Sequence, residues 1–294
     1  MEKVIVFGAG NCGRLIGSAL YHEGKEIVCF IDNDPLKEGK NVILDTTLSG
    51  GGGIPIYPAT RITTLAFDRI VVGTFTGLYE IADQLRGMGI CEQKIDVSYI
   101  ELSVKAREAF VKDFAKEVYD REMHGSVAEV GVYRGDFARV INEAFADRNL
   151  YLFDTFEGFS VQDLKQDRDG TMGKDLGQRH FSNTSIELVL AKMPHKDKCI
   201  IKKGWFPQSA QDLEEDKFCF VNLDCDLYEP ILAGLEFFYP KMVRGGVILI
   251  HEYFSQGYVG VKEAVNEFLK NHNLGSAFKV PIGDHLSIAI IKLV

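Results

Sequence analysis

Two short apolar runs, Phe218–Leu223 and residues 247–250, flank a segment in which Leu232, Leu235 and Phe238 recur about once per helical turn before Pro240. Runs this short, bounded by charge or glycine, read as strands buried on both faces, and the segment between them as the helix that covers them. A strand, helix, strand order confines the chain to a parallel α/β architecture. In open sheets of that kind, ligands sit just beyond the carboxyl ends of the strands. Here those positions hold Asn222-Leu-Asp-Cys-Asp-Leu-Tyr-Glu229 and His251-Glu-Tyr253. Neighbouring strands lie about 4.8 Å apart, close enough for Asp224, His251 and Glu252 to converge on one metal ion, with Asp226 pointing the same way. Asp224 and Asp226 would equally serve as caps of the following helix.

The amino terminus carries the same logic. Lys3–Phe7 runs into Gly8-Ala-Gly-Asn-Cys-Gly13, then a helical pattern with Cys12, Ile16 and Ala19 on one face, then Glu26–Ile31 ending at Asp32. This spacing gives a tight turn at Gly8, close backbone approach at Gly10 and close helix packing at Gly13, with helix-terminal N–H groups facing a phosphate. Asp32 either meets ribose hydroxyls or organises its own Asp-Asn-Asp-Pro turn. A glycine run at 50–53 reads as a mobile loop, followed by a strand at Arg69–Val72, a helix over 77–87 and a last strand over 94–97. About 100 residues suffice for a small nucleotide-binding fold, not for a full dinucleotide fold with a dehydrogenase module. An NAD-linked oxidoreductase is therefore disfavoured.

Residues 101–123 are charged throughout, with Ala106, Phe110, Phe114 and Val118 four apart, a long amphipathic helix ended by His124-Gly125. The expected division is a first domain over 1–102 and a second over 103–294. In the second, Val127-Ala-Glu-Val-Gly-Val-Tyr-Arg-Gly135 leads into a helix over 137–145 and a strand over 150–153 ending at Asp154. Gly131 and Gly135 let backbone approach a ligand, Glu129 and Tyr133 reach its charged end, and Asp154 can accept from a ribose. Residues 161–184 read as a charged, loop-rich stretch, followed by a helix to Lys192 and a strand over 199–202. Trp205 then faces an adenine ring or simply packs. A helix over 261–270 and a strand pair over 278–280 and 286–293 complete seven strands with a hairpin-like end, the order of class I methyltransferases. The expected fold class is α/β, two doubly wound Rossmann-like domains.

At 294 residues and 46% hydrophobic composition the chain can bury two cores. A net charge of −9 without a Lys or Arg run argues against a nucleic-acid partner. Cys12, Cys29, Cys91, Cys199, Cys219 and Cys225 form no C-x-x-C pair, which suits a reducing, cytoplasmic setting. No stretch approaches the ~20 apolar residues of a membrane span, so no membrane partner is expected. A homo-oligomer is allowed but not specified.

The second half resembles the macrocin O-methyltransferase family. The resemblance rests on Glu129-Val-Gly-Val-Tyr-Arg-Gly135, Phe153-Asp-Thr-Phe-Glu-Gly158, Gly204-Trp-Phe206, Leu223-Asp-Cys-Asp-Leu-Tyr-Glu229, Tyr239-Pro-Lys241 and Gly245-Gly246, over about residues 120 to 270. It implies a metal- and S-adenosylmethionine-dependent enzyme methylating a sugar hydroxyl on a small-molecule acceptor. Glu129, Gly131, Gly135 and Asp154 would bind S-adenosylmethionine. Asp224 and the pair after Ile250 would hold Mg2+ against vicinal hydroxyls. This chain has His251-Glu252 where the family carries Asp-Asp, which admits Mn2+ beside Mg2+ and offers His251 as a ligand or a general base. Asp224 is a ligand and a second candidate base. The first hundred residues resemble the nucleotide-sugar-binding domain of bacterial sugar acyltransferases through Val4-Ile-Val-Phe-Gly-Ala-Gly10, Phe30-Ile-Asp32 and Gly53-Ile-Pro-Ile56. That implies a nucleotide or nucleotide sugar there. The rival class is a non-catalytic scaffold that binds nucleotide or S-adenosylmethionine without turnover.

Overall fold

The computed structural model describes residues 1–44, 53–75, 77–167, 177–213, 216–255, 257–275 and 279–293. The chain forms two compact units, Met1–Lys105 and Ala106–Val294. Of the glycine run read as a mobile loop, residues 50–52 lie outside the described residues, as does Phe278 of the expected terminal strand pair.

In the first unit, β1 (Lys3–Phe7), α1 (Asn11–His22), β2 (Glu26–Ile31), β3 (Asn41–Val42), β4 (Ile54–Tyr57), β5 (Arg69–Val72), α2 (Leu78–Gly87) and β6 (Ile95–Asp96) build a sheet in the order β3-β4-β2-β1-β5-β6. All pairings are parallel except β3 with β4. The apolar β1 works because both faces are covered: Ile5 and Phe7 enter one core cluster, Val4 and Val6 the other. Sequence reading finds four of these strands and misses the short β3 and β4. The strand expected over 94–97 shrinks to β6, since residues Glu92–Lys94 wind into a 3-10 turn.

The helix α3 (Ser98–Asp120) starts three residues earlier than the charge pattern suggests. Asp96 draws it forward by accepting from both the N–H and the hydroxyl of Ser98.

The second unit contains β7 (Ser126–Val130), α4 (Asp136–Ala144), β8 (Leu150–Asp154), α5 (Val161–Gln166), α6 (Ile186–Lys192), β9 (Cys199–Lys203), β10 (Phe218–Leu223), α7 (Tyr228–Phe238), β11 (Met242–Ile250), α8 (Val259–Asn271), β12 (Lys279–Pro281) and β13 (Ile288–Ile291). They form a seven-stranded sheet in the order β12-β13-β11-β10-β7-β8-β9. Only β13 runs against its neighbours. Two core clusters sandwich it, with Ile248 and Ile250 of β11 on one face and Val247 and Leu249 on the other. The stretch expected as loop from 161 opens instead with α5, whose cap Ser160 accepts the N–H of Gln162 at 3.1 Å.

Candidate active site

Register places the site. Val130 of β7 pairs with Leu223 of β10 and with Phe153 of β8, Leu223 pairs with Ile250 of β11, and Ile250 pairs with Ile288 of β13. The residues just past this row are therefore neighbours: Asp154, Gly131, Asp224, His251 and, because β13 is antiparallel, Ser287. Backbone bonds continue the ladder beyond the strands, from Gly131 N–H to the Phe153 carbonyl, Asp224 N–H to the Val130 carbonyl and His251 N–H to the Leu223 carbonyl, at 2.9, 2.9 and 3.0 Å.

Gly131 has no room for a side chain. Its φ is +87°, and a Cβ there would lie 2.1 Å from the Asp224 carbonyl oxygen. One row inside, Glu129 and Asn222 sit opposite each other, and the Asn222 amide donates to Glu129 Oε1 at 2.8 Å. Asn222 is fully buried and Glu129 nearly so. Glu129 Oε2 is buried without a hydrogen-bond partner. Arg107, from α3, lies over the Phe137 ring at 3.9 Å and donates from Nη2 to Asn222 Oδ1 at 3.0 Å and Asp224 Oδ2 at 2.9 Å. Burial, reinforced by the Asp224 charge, pushes Glu129 well above the ordinary glutamate range despite Arg107 and Asn222 pulling it down.

Asp224 is also buried, which raises its proton affinity, but Arg107 and His251 together outweigh that and hold it below the ordinary aspartate range. Asp226 goes the other way: burial, then the charges of Asp224 and Glu252, push it well up. Asp226 and Glu252 both adopt left-handed backbone, at φ 62° and 57°, a conformation that non-glycine residues hold only when their surroundings enforce it. His251 Nδ1 meets Ser287 Oγ at 2.9 Å, and its Nε2 lies 3.4 Å from Glu252 Oε1. The structure thus brings Asp224, His251 and Glu252 to one edge. Among the described residues, no three or more His, Cys, Asp or Glu side chains have their donor atoms gathered into a ready metal cage.

On the other flank, Asp154 Oδ2 accepts the N–H of Tyr133 and Oδ1 accepts that of Phe156, each at 2.7 Å. Burial raises the Asp154 carboxyl, and these amides pull it part of the way back. Tyr133 has φ 49°, its hydroxyl donates to Asn183 Oδ1 at 2.7 Å, and its ring lies edge-on to Phe181. Gly135, at φ +77°, caps α4, where a Cβ would press within 3.0 Å of Val189. Trp205 borders a cleft with Thr155, Gly158, Phe159 and Lys203, and its indole N–H donates to both oxygens of Asp163 at 3.0 and 3.1 Å.

The first unit repeats the aspartate device. Asp32 Oδ2 accepts the N–H of Ala9 at 2.8 Å and Oδ1 that of Asp34 at 2.9 Å, and Lys37 pairs with it at 2.9 Å. Gly8 turns at φ +111°, and a Cβ on Gly13 would fall 1.8 Å from the Gly8 carbonyl oxygen, whereas nothing crowds Gly10. The helix-packing role read for Gly13 and the turn read for Gly8 are visible directly.

Sequence reading does not single out Arg107, Ser287, Asp284 or Asp163. Arg107 is a charged residue on the line of Ser103, Val111, Ala115 and Val118 that α3 buries.

Residues 96–281 match the macrocin O-methyltransferase (TylF) family model, and residues 1–96 match the C2185-like N-terminal domain model. The likeness to a sugar acyltransferase domain read from the first unit does not appear among these matches. The mycinamicin III 3''-O-methyltransferase of Micromonospora griseorubida is 27% identical over 166 residues, 51% of this chain and 62% of that protein. The 8-demethyl-8-(2,3-dimethoxy-alpha-L-rhamnosyl)-tetracenomycin-C 4'-O-methyltransferase of Streptomyces olivaceus is 27% identical over 141 residues, 44% of this chain and 53% of that protein. The chain thus spans less than two thirds of the length of these curated relatives. The solved O-methyltransferase NovP superposes with a TM-score of 0.54 at 23% identity, over 64% of this chain and 80% of that one, a shared fold. With the family model covering well over half of its residues, the chain belongs to the macrocin O-methyltransferase family.

Proposed function

We propose that this chain transfers a methyl group from S-adenosylmethionine to a hydroxyl of a sugar-containing small molecule, assisted by a divalent cation. One observation carries the reading: Glu129 Oε2 is buried and unpartnered two residues before Gly131, whose backbone packs on Asp224. A buried carboxylate oxygen without a donor is costly unless a ligand supplies one. It sits at the carboxyl edge of the sheet, where such folds bind their cofactors. The names of two relatives, both O-methyltransferases, one with a rhamnosyl group in its substrate, point to the sugar acceptor.

When bound, S-adenosylmethionine supplies an electrophilic methyl on a cationic sulfur. Glu129 would accept from the polar end of the cofactor, Gly131 and Gly135 would admit it against backbone, and Asp154 would accept from its ribose with the lone pairs that Tyr133 and Phe156 leave over. Trp205 would border its base. Asp224 and Glu252, with Asp226 beside them, make a donor set of hard oxygens whose mutual repulsion a cation would relieve. Held there by the carboxylates, a divalent cation, Mg2+ or Mn2+, would acidify the acceptor hydroxyl and fix it in place. Asp224 has one oxygen committed to Arg107, so His251 is the better base: its Nε2 would take the hydroxyl proton as the carbon–oxygen bond forms and the carbon–sulfur electron pair returns to sulfur.

For the first unit, the uncrowded Gly10 at the start of α1, a helix end without a side-chain cap, supports a nucleotide or nucleotide-sugar site. The test is to titrate the full chain with S-adenosylmethionine by calorimetry, then incubate it with nucleotide sugars and glycosides in Mg2+ or Mn2+ and follow S-adenosylhomocysteine and the methyl ether by mass spectrometry. Binding with cation-dependent turnover supports the proposal. Absence of cofactor binding would overturn it.

A further inference from the structure

Behind His251 lies a buried pair that nothing in the methyl-transfer chemistry uses directly. Asp284 and Ser287 are 2% and 1% exposed. Asp284 Oδ1 accepts the backbone N–H groups of Leu286 and Ser287 at 3.0 and 2.7 Å, and Oδ2 accepts the Ser287 hydroxyl at 2.5 Å. Ser287 Oγ in turn lies 2.9 Å from His251 Nδ1.

A hydroxyl has one hydrogen to give. Ser287 donates its hydrogen to Asp284, so towards His251 it can only accept, and the hydrogen of that bond belongs to the imidazole. We infer that Asp284 and Ser287 are positioning residues that hold His251 in the tautomer bearing its hydrogen on Nδ1, which leaves Nε2, on the side of Glu252 Oε1 at 3.4 Å, as the nitrogen that takes up a proton. The inference rests on the reading of His251 as the base. Register explains why these residues meet: Ile288 of the antiparallel β13 pairs with Ile250, which puts Ser287 beside His251.

One substitution inverts the relay without removing a heavy atom. In Asp284→Asn, the oxygen must keep facing the two backbone N–H groups, because an amide nitrogen there would set donor against donor. The side-chain NH2 then faces Ser287 Oγ and donates to it. That frees the Ser287 hydrogen for His251 Nδ1, which becomes an acceptor, and the ring hydrogen moves to Nε2, where it blocks proton uptake.

The experiment uses the full chain, 15N-labelled, with the His251 ring identified among the seven histidines by its loss in His251→Gln. Long-range 1H–15N correlation at a pH where the ring is neutral reports the tautomer. The wild type should show hydrogen on Nδ1, Asp284→Asn hydrogen on Nε2, and Ser287→Ala a mixture, while Ser287→Thr keeps the wild-type pattern. In turnover, Asp284→Asn should lower kcat by about 10²-fold or more, the scale of general-base catalysis, with the acceptor KM within about threefold. Ser287→Thr should restore what Ser287→Ala loses. A wild-type ring with hydrogen on Nε2, or an Asp284→Asn protein with the wild-type spectrum or wild-type kcat, overturns the inference. The spectra require no turnover. A relay that inverts as described in a chain that methylates nothing would therefore sink the functional reading while leaving the hydrogen-bond assignment intact. Ser287→Ala, a smaller change, covers the case in which Asp284→Asn fails to fold.

Discussion

Arg107 donates from Nη2 to the Asp224 carboxylate at 2.9 Å, joining side chains 117 positions apart in sequence. Through Asn222 the same nitrogen is linked to Glu129, so the guanidinium balances the acidic edge of the sheet. Both partners are largely buried, at 11% and 20% side-chain exposure. Removing one member of such a pair strands the other. Arg107→Met should lower stability by about 3–5 kcal/mol in urea unfolding at neutral pH. Adding Asp224→Asn should recover much of that loss, and a double variant no more stable than Arg107→Met would show that the pair does not act as a unit.

Two glycines that read alike in sequence should respond differently. Gly131→Ala combines left-handed backbone with a Cβ 2.1 Å from a carbonyl oxygen. It should destabilise by more than ~1 kcal/mol and weaken S-adenosylmethionine binding at least tenfold in calorimetry. Gly10→Ala, with φ −90° and open space around the new methyl, should change the unfolding midpoint little.

Asp163 offers a pH dependence with a built-in reporter, because Trp205 is the sole tryptophan. Burial, opposed by the Trp205 hydrogen bond and aided by Glu229, raises the Asp163 carboxyl from 3.8 to about 6. The folded state therefore holds this proton more tightly than the unfolded chain does. Stability from this group is greatest below pH ~4 and declines as pH rises towards 6. Trp205 fluorescence should titrate near pH 6. Asp163→Asn should abolish that transition and, above pH 6, stabilise by an amount on the order of 2–3 kcal/mol, the linkage equivalent of the shift.

Glu129→Gln separates the two tasks of that side chain. It removes a buried group whose ionised form burial disfavours, so stability should hold or rise. It also puts an amide where ligand donors would arrive, so the Kd for S-adenosylmethionine should rise by about 10- to 100-fold, the cost of one charge-assisted hydrogen bond. Unchanged affinity would separate Glu129 from the cofactor.

The strands that carry the site are legible because burial on both faces makes them continuous apolar runs: Phe218–Leu223 can be read to the residue. The residues just past them, Gly131, Asp154, Asp224 and His251, follow from the same reading. Less legible is whatever depends on pairing between distant segments. Two-residue β3 has too few positions for a pattern. The stripe read on α3 through Ala106, Phe110 and Phe114 falls one place off the fully buried line of Val111 and Ala115, which hides Arg107. Ser287 and Asp284 reach His251 only through the antiparallel register of β13, which no local pattern encodes. Helix α5 had a signal, Ser160 three residues before Asp163, masked by the surrounding charge.

The twin clamps, Asp154 on the Tyr133 amide and Asp32 on the Ala9 amide, mean that neither glycine turn waits for a guest to take its shape. A ligand entering either crevice would meet backbone already set, so little entropy is lost in ordering it and more of the contact energy survives as affinity. In deuterium oxide, the Tyr133 and Ala9 amides should exchange slowly in the empty protein, and Asp154→Ala or Asp32→Ala should release each amide in its own unit alone.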